Sequence, residues 1–222
     1  MSAASPPDRS KPSSNSAAPI VFIVDDDISV RESLELLIHS QGWQAETFES
    51  ANEFLDRTRV LVPSCLILDV SLPGLNGLEL QKRVAVERIE MPIIFITGHS
   101  DVPTSVEAMK AGAIEFLTKP FSKDVLLSAI RNALDRSRKA LTDKAEVQTL
   151  RDCYTSLTPR EREVMTLVIS GLLNKQVGGE LGICENTVKY HRGQAMQQMK
   201  ADSLPDLVRM AARLGLTCAP KS

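Results

Sequence analysis

Short, continuous apolar runs alternate with helix-period segments between residues 20 and 138. Such runs occur at Ile20–Val24, 65–68, 92–96 and 114–117, and a weaker one at 45–48. Continuous apolar runs are typical of strands that are covered on both faces, as in a parallel sheet. With the helical segments between them they form five βα units. Because crossovers are right-handed, these units predict an α/β doubly wound, five-stranded parallel sheet.

Capping residues and glycines mark the predicted helix boundaries in this region. Ser29-x-x-Glu32 and Ser50-x-x-Glu53 both have capping-box spacing, which predicts two helix starts. A later helix carries Val106 and Met109 as its apolar positions and is expected to end at Gly112.

The last helix of the α/β region starts near Ser122 and is expected to continue past Arg138. Its Leu127, Leu134 and Leu141 repeat every seven residues. Two interpretations stay open: a weak coiled-coil seam, or a linker helix whose leucines pack on its own domain. The second is preferred, because three repeats are a minimal signal.

After about residue 153 the strand signals stop. Thr158-Pro159-Arg160-Glu161 combines a capping residue, a first-turn proline and a closing glutamate, which together predict a helix start. Three more short helices are predicted, two of them joined by the tight turn Gly182-Ile183-Cys184. This is an all-α, four-helix helix-turn-helix domain. The predicted organisation is a disordered tail at 1–19, the α/β domain at 20–134, a linker helix at 135–153 and the helix-turn-helix domain at 154–218.

Charge is divided unevenly between the two regions. Residues 1–138 hold 14 basic and 19 acidic residues, whereas residues 139–222 hold 12 basic and 9 acidic residues. The four cysteines are far apart and form no CxxC pair, so isolated thiols are expected. No window of 18 apolar residues and no secretory signal is present, which predicts a cytoplasmic protein without a membrane partner.

Polar residues gather where the predicted strands end. Asp25, Asp26 and Asp27 follow the first strand, and Asp69 ends the third, while Thr97 and Lys119 end the fourth and fifth. The carboxyl ends of parallel strands share one edge of a sheet, so these groups are expected to converge. Crowded carboxylates favour a hard divalent cation such as Mg²⁺, which also accepts phosphoryl oxygens. The set suits phosphoryl transfer to a carboxylate nucleophile. The alternative is that the Asp triplet only caps the next helix.

Residues 20–138 resemble the receiver domain of two-component response regulators. The matching segments are Val24-Asp25-Asp26-Asp27, Leu68-Asp69-Val70-Ser71-Leu72-Pro73-Gly74, Phe95-Ile96-Thr97-Gly98-His99 and Phe116-Leu117-Thr118-Lys119-Pro120-Phe121. The resemblance implies phosphorylation of Asp69 and a Mg²⁺ site formed by Asp25, Asp26, Asp69 and the carbonyl of Ser71. It further implies a switch pair, Thr97 and Phe116, a phosphate-sensing Lys119, and a cis Lys119–Pro120 bond.

Residues 154–218 resemble the LuxR-type DNA-binding domain of the NarL/FixJ group of regulators. The matching segments are Leu157-Thr158-Pro159-Arg160-Glu161, Gly171-x-x-Asn174-Lys175, Leu181-Gly182-Ile183 and Thr187-Val188-Lys189-x-His191. In the third helix of this region the polar positions face away from the apolar stripe, as a major-groove helix requires. The expected DNA-binding residues are Asn174, Lys175, Asn186, Thr187, Lys189, Tyr190, Arg192 and Gln194.

The second region departs from the LuxR-type pattern at two places. Gly178-Gly179 occupies a helix interior where alanine is frequent, and Cys184 stands where a serine N-cap is common. Both changes predict a less stable DNA-binding domain.

Together these features predict a phosphorylation-dependent transcriptional regulator that is not an enzyme in its own right. Its expected partners are a sensor histidine kinase, double-stranded promoter DNA and, after phosphorylation, a second copy of the chain, with RNA polymerase as a further candidate. The alternative is a Mg²⁺-dependent phosphohydrolase that uses Asp69 as nucleophile. Such enzymes commonly place a general acid two residues after the nucleophile, where this chain has Ser71.

Overall fold

The computed structural model describes residues 18–87, 90–98 and 102–216, and the chain divides into two compact units after Leu141. Most of the predicted tail, together with His99 and Cys218, lies outside the described residues. Each unit has its own core, so each is described by itself.

The first unit contains the predicted parallel sheet. Its strands lie in the order β2-β1-β3-β4-β5, and every neighbouring pair is parallel. The order reverses between β1 and β3, which makes their carboxyl ends the topological switch point. The strands are β1 (Ile20–Val24), β2 (Gln44–Phe48), β3 (Ser64–Asp69), β4 (Ile93–Thr97) and β5 (Glu115–Thr118).

Helices cover both faces of the sheet. One face packs on α2, α3 and α4, with Phe22, Phe48 and Phe54 in edge or tilted contact at its centre. The other face packs on α1 and α5 through residues such as Ile38 and Ile130. The doubly wound α/β prediction is therefore confirmed. The helices are α1 (Ile28–His39), α2 (Ala51–Asp56), α3 (Gly77–Glu87), α4 (Val102–Lys110) and α5 (Lys123–Ser156).

One local prediction in this unit is wrong, and one helix presents apolar side chains to solvent. The capping box at Ser29 does not form, because α1 begins at Ile28 with Asp27 as its N-cap, two residues before the predicted cap, and the Asp27 carboxylate accepts from the Ser29 amide. In α4 the residues Val106 and Met109 are 44% and 45% exposed, and Ala108 faces the core instead. The apolar stripe of α4 therefore lies on the surface.

The long helix α5 favours the second interpretation of its leucine repeat. Leu127 and Leu134 are buried in the core of the first unit, so they are not available as a coiled-coil seam. Further along, the buried Ser137 hydroxyl accepts a hydrogen bond from the Ser64 amide at 3.0 Å, which ties the helix to the start of β3. The predicted linker at 135–153 is thus the second half of one continuous helix.

As far as residue 216, where its described part ends, the second unit consists of the end of α5 and four further helices. Its apolar positions form two clusters, one around Val164, Val177 and Val188 and one around Met165 and Leu207. The predicted capping box of Thr158 and Glu161 is present in full. These helices are α6 (Pro159–Ile169), α7 (Asn174–Leu181), α8 (Glu185–Met199) and α9 (Leu204–Arg213).

The two glycines of α7 differ in what surrounds them. A Cβ added at Gly178 would lie 2.7 Å from the backbone oxygen of Ile183, so the close turn into α8 requires glycine there. A Cβ added at Gly179 would meet nothing within 4 Å. Gly178 is therefore a packing requirement, whereas Gly179 only weakens the helix.

This difference predicts opposite effects of two alanine substitutions. Gly179→Ala should stabilise the helix-turn-helix by about 0.5–1 kcal/mol, since alanine is the better helix former. Gly178→Ala should destabilise it, because its methyl group would collide with backbone. Hydrogen–deuterium exchange of full-length protein, read on peptides covering residues 174–199, should slow for the first variant and accelerate for the second. Slower exchange in both variants would contradict the packing role of Gly178.

Side-chain caps are missing at the starts of α7 and α8. Leu173 is the N-cap of α7 and is 71% exposed; its amide donates to Gln176 Oε1 at 2.8 Å, but its side chain has no group that can accept a hydrogen bond. Cys184 is the N-cap of α8 and forms no cap hydrogen bond; its Sγ lies 3.1 Å from Thr187 Oγ1. The Thr187 hydroxyl and nearby amides lower the pKa of this exposed thiol. The sequence identified Cys184 as an N-cap but missed Leu173.

Because Cys184 is exposed, a serine hydroxyl at this position would remain in contact with solvent. It would therefore not become a buried polar group that lacks a hydrogen-bond partner. Cys184→Ser should therefore supply the missing cap and slow amide exchange in the first turn of α8 by about two- to fivefold. Full-length protein is suitable, with the peptides of α9 as an internal control. Faster exchange in α8 of the variant would show that the thiol stabilises this turn by a contact that serine cannot replace.

Candidate functional site

Three carboxyl groups converge at the switch point of the sheet. Asp25 and Asp26 follow β1, Asp69 ends β3, and one oxygen from each lies within 4.8 Å of the others. Asp25 and Asp69 are buried, whereas Asp26 is exposed. The predicted clustering of acids at strand ends is therefore present, and the arrangement leaves one side accessible to solvent.

Lys119 reaches this cluster from the loop after β5. Its Nζ donates to Asp25 Oδ2 at 2.7 Å and to Asp69 Oδ2 at 2.9 Å. Its backbone amide donates to the Thr97 carbonyl at 2.7 Å, and the Lys119–Pro120 bond is cis. The lysine is thus fixed at both its main chain and its ammonium group.

The electrostatics of the cluster favour an additional cation. Burial raises the pKa of Asp25 despite the opposing hydrogen bond from Lys119. Burial alone would lower the pKa of Lys119, but its bonds to Asp25 and Asp69 outweigh that effect and raise the pKa, so the ammonium stays charged. One ammonium faces three acids. A divalent cation with oxygen ligands fits this donor set and would oppose the shift at Asp25.

Backbone contacts hold the acids in place. The Ser71 amide donates to Asp69 Oδ1 at 3.0 Å, and the Asp27 amide donates to Asp25 Oδ1 at 2.9 Å. Arg31 of α1 donates from Nη1 to the Asp25 carbonyl at 2.7 Å. Ser71 therefore lies beside Asp69, with its amide bonded to the carboxylate. The Arg31 contact was not predicted, because a bond to a carbonyl leaves no pattern in the sequence.

Gly77 is a second residue that the sequence analysis missed. A Cβ at this position would lie 2.4 Å from the Asp69 backbone oxygen and 3.1 Å from the Phe95 ring. Its amide donates to the Val70 carbonyl at 3.1 Å. The start of α3 can therefore approach the backbone of Asp69 only because residue 77 has no side chain.

The two predicted switch residues lie on neighbouring strands. Thr97 ends β4 and is completely buried, whereas Phe116 of β5 is half-buried. Phe116 pairs in register with Phe95, and the two rings are 6.1 Å apart. Thr97 is linked to Lys119 through the backbone bond described above, so Thr97 lies next to the acidic cluster.

In the second unit, α8 presents a polar face to solvent. Asn186, Lys189 and Tyr190 are exposed there, and Lys189 forms an ion pair with Glu185 at 3.0 Å. Lys175 is exposed at the start of α7. The opposite side of α8 buries Val188, Ala195 and Met199, as the apolar stripe predicts.

The remaining predicted contact residues are less accessible. Arg192 donates from Nη1 to Asn174 Oδ1 at 3.2 Å, so these two residues join α8 to the first turn of α7. Thr187 and Gln194 are half-buried. His191 is half-buried as well, with its ring 5.4 Å from that of Tyr190. The geometry therefore divides the predicted set into an exposed group and a half-buried group, in which Asn174 and Arg192 join the two helices.

A receiver-like acidic cluster in one unit and a helix-turn-helix in the other define a regulator class, and comparison with known proteins agrees. The chain matches the family "Response regulator receiver domain" over residues 21–131. It matches "Bacterial regulatory proteins, luxR family" over residues 155–211. Among the described residues, no helix is both long and apolar enough to cross a membrane.

Individual relatives match over nearly the full chain. Nodulation protein W of Bradyrhizobium diazoefficiens is 50% identical over 198 residues, which is 89% of this chain and 87% of the relative. Transcriptional regulatory protein FixJ of the same organism is 41% identical, over 88% of this chain and 96% of FixJ. The solved structure of the response regulator StyR has a TM-score of 0.78 at 46% identity, covering 89% of this chain and all of StyR.

The chain therefore belongs to the two-component response regulators of the NarL/FixJ group. Proteins with this pair of domains are phosphorylation-dependent, DNA-binding regulators of transcription, and their receiver domain implies a sensor kinase as partner. This is the function that the sequence analysis predicted.

Proposed function

We propose that Asp69 is the residue that accepts the phosphoryl group from a sensor histidine kinase. The observation that carries the proposal is the Lys119 ammonium bridging Asp25 and Asp69 at the switch point of the sheet. In this reaction a carboxylate oxygen of Asp69 attacks phosphorus, the P–N bond of phosphohistidine breaks, and the imidazole leaves with a proton from solvent.

The surrounding residues have distinct parts in this transfer. Asp25, Asp26, Asp69 and the Ser71 carbonyl would hold Mg²⁺, which neutralises charge on the transferred group when it is bound. Lys119 would exchange one of its carboxylate partners for a phosphoryl oxygen. Since the Lys119 amide is bonded to the Thr97 carbonyl, a movement of Lys119 in that exchange would directly affect the position of the switch residue Thr97 and of its neighbour Phe116.

The phosphohydrolase alternative has less support. A serine, Ser71, lies two residues after Asp69, and its hydroxyl is a poor general acid compared with a carboxyl group. The second unit also offers a polar helix face that a hydrolase would not need. Catalysis is therefore proposed to be limited to the receiver's own phosphorylation and dephosphorylation.

Lys175 in the first turn of α7 and the exposed polar residues of α8 are the best candidates for DNA contact. Lys175, Asn186, Lys189 and Tyr190 combine charge, amide and aromatic groups on accessible surface, as major-groove and phosphate recognition require. Thr187 and Gln194 lie beside them. Asn174 and Arg192 would contribute to DNA binding mainly by holding α7 against α8 through the hydrogen bond between their side chains.

Phosphorylation would promote pairing of two copies of the chain. The support is the apolar stripe on the surface of α4, where Val102, Val106 and Met109 are 75%, 44% and 45% exposed at helical spacing. Burying such a stripe against a second copy is favourable. RNA polymerase stays a proposed partner on family resemblance alone.

The assignment of Asp69 predicts a single modified residue. Full-length protein incubated with acetyl phosphate and Mg²⁺ should give one retarded band on a Phos-tag gel, and Asp69→Asn should abolish it. Asp56→Asn changes an exposed acid outside the cluster and should be retarded like the wild type. Equal retardation of wild type and Asp69→Asn would exclude Asp69 as the acceptor.

The metal site makes a separate prediction at Asp26. Because Asp26 is exposed, Asp26→Ala should leave the fold intact while weakening Mg²⁺ binding by roughly tenfold or more, since it removes a charged ligand. Calorimetric titration of full-length protein with MgCl₂ measures this, with Asp56→Ala as the matched control. An Asp26→Ala affinity equal to that of the control would remove Asp26 from the ligand set.

A further inference from the structure

Gly193 lies in the interior of α8, and no contact within the described residues calls for glycine at this position. The residue is exposed, and a Cβ added to it would meet nothing within 4 Å. Its backbone is not in the left-handed region, in contrast to the glycines that end helices in this chain. An interior helix glycine is less favourable than alanine, so Gly193 weakens α8 without a compensating contact in the part of the chain that the structure describes.

Gly193 is located at the centre of the exposed face of α8. Helical spacing places it one turn after Lys189 and Tyr190, two turns after Asn186 and one turn before the exposed Gln197. The residues that pack on the core, Val188, Ala195 and Met199, lie on the opposite side. Long side chains therefore surround a point where the helix backbone itself reaches the surface, and this feature is called the Gly193 notch.

The notch matters for a helix that enters the major groove. An α-helix with its side chains is about 10–12 Å across, and the groove of B-DNA is about 12 Å wide, so the central position of the inserted face limits how deeply the helix can sit. A side chain there would hold the helix away from the base-pair edges. Without it, the flanking side chains can reach the groove floor together.

We propose that Gly193 is a specificity-determining residue at which the edge of a DNA base pair comes closest to the backbone of α8. The inference rests on the proposed function, since it requires that α8 enters the major groove. It extends that function by naming a residue that contributes through the absence of a side chain. The ligand class is double-stranded DNA, and the neighbours that gain contact are Lys189 and Tyr190.

The chain offers a matched control for this idea. Gly179 of α7 is also an exposed, interior helix glycine with nothing within 4 Å of an added Cβ, yet it lies outside the exposed face of α8. Gly179→Ala and Gly193→Ala should therefore favour helix formation equally. Only the second should interfere with DNA.

The experiment uses full-length protein and a duplex enriched from a randomised library by the wild type. Affinities of the wild type, Gly179→Ala, Gly193→Ala and Gly193→Gln are measured for this duplex and for a shuffled duplex of equal composition. Gly193→Gln should lose roughly tenfold or more on the enriched duplex, the size of one lost base contact, and Gly193→Ala should lose less. Binding to the shuffled duplex should change little, because it depends on phosphate contacts.

Amide exchange separates this effect from misfolding. In both Gly193 variants, α8 should exchange no faster than in the wild type, so a loss of affinity together with an equally stable helix supports the notch. Wild-type affinity of both Gly193 variants for the enriched duplex would overturn the inference while leaving DNA binding by α8 in place. If instead the wild type and Gly179→Ala bind the enriched duplex no better than the shuffled one, sequence-specific DNA binding itself fails, and the inference fails with it.

Discussion

The ion pairs of Lys119 with Asp25 and Asp69 are the interaction on which the first unit depends. A parallel doubly wound sheet brings the ends of β1 and β3 together, and in this chain both ends carry acids. Buried carboxylates at such a distance repel each other and are poorly solvated. One ammonium shared between them offsets both costs, and in the proposed phosphoryl transfer the same ammonium would move to a phosphoryl oxygen. The contact that stabilises the resting pocket is therefore also the one that phosphorylation would have to change.

Two close backbone approaches show how the surrounding chain supports its functional elements. Gly77 lets the start of α3 come against the Asp69 backbone, and Gly178 lets α7 come against the turn that leads into α8. In both cases an added methyl group would collide with a backbone oxygen, which cannot rotate away as a flexible side chain can. The first approach holds the candidate acceptor Asp69 in place, and the second holds the first turn of α8. Neither has much freedom to shift. The glycines at 179 and 193 have no such neighbour. Packing therefore requires glycine at 77 and 178 but not at 179 and 193.

Features that follow from chain order and periodicity could be predicted from the sequence. The strands follow from the apolar runs. The clustering of Asp25, Asp26, Asp69 and Lys119 follows from the rule that parallel strands end at the same edge of a sheet. The bounds of α8 follow from the turn before it and from its helical period. Features that depend on a choice between nearby partners could not. Asp27 rather than Ser29 caps α1, Arg192 bonds Asn174, and Val106 and Met109 face outward while a small alanine faces the core. In each case several residues had suitable chemistry, and tertiary packing selected among them.

The helix-turn-helix helices differ in how their starts are stabilised. Thr158 caps α6 and Ser203 caps α9 through side-chain hydrogen bonds, but Leu173 and Cys184 leave α7 and α8 without one. Side-chain caps thus stabilise the starts of α6 and α9. In contrast, α7 and α8 depend on the burial of their apolar residues, which are Val177, Val188, Ala195 and Met199. Because that burial lies on the inner side of α8, the outer side contributes little to stability. Its residues can therefore be set by what they must contact outside the protein, and a glycine at 193 is tolerable there even though it weakens the helix.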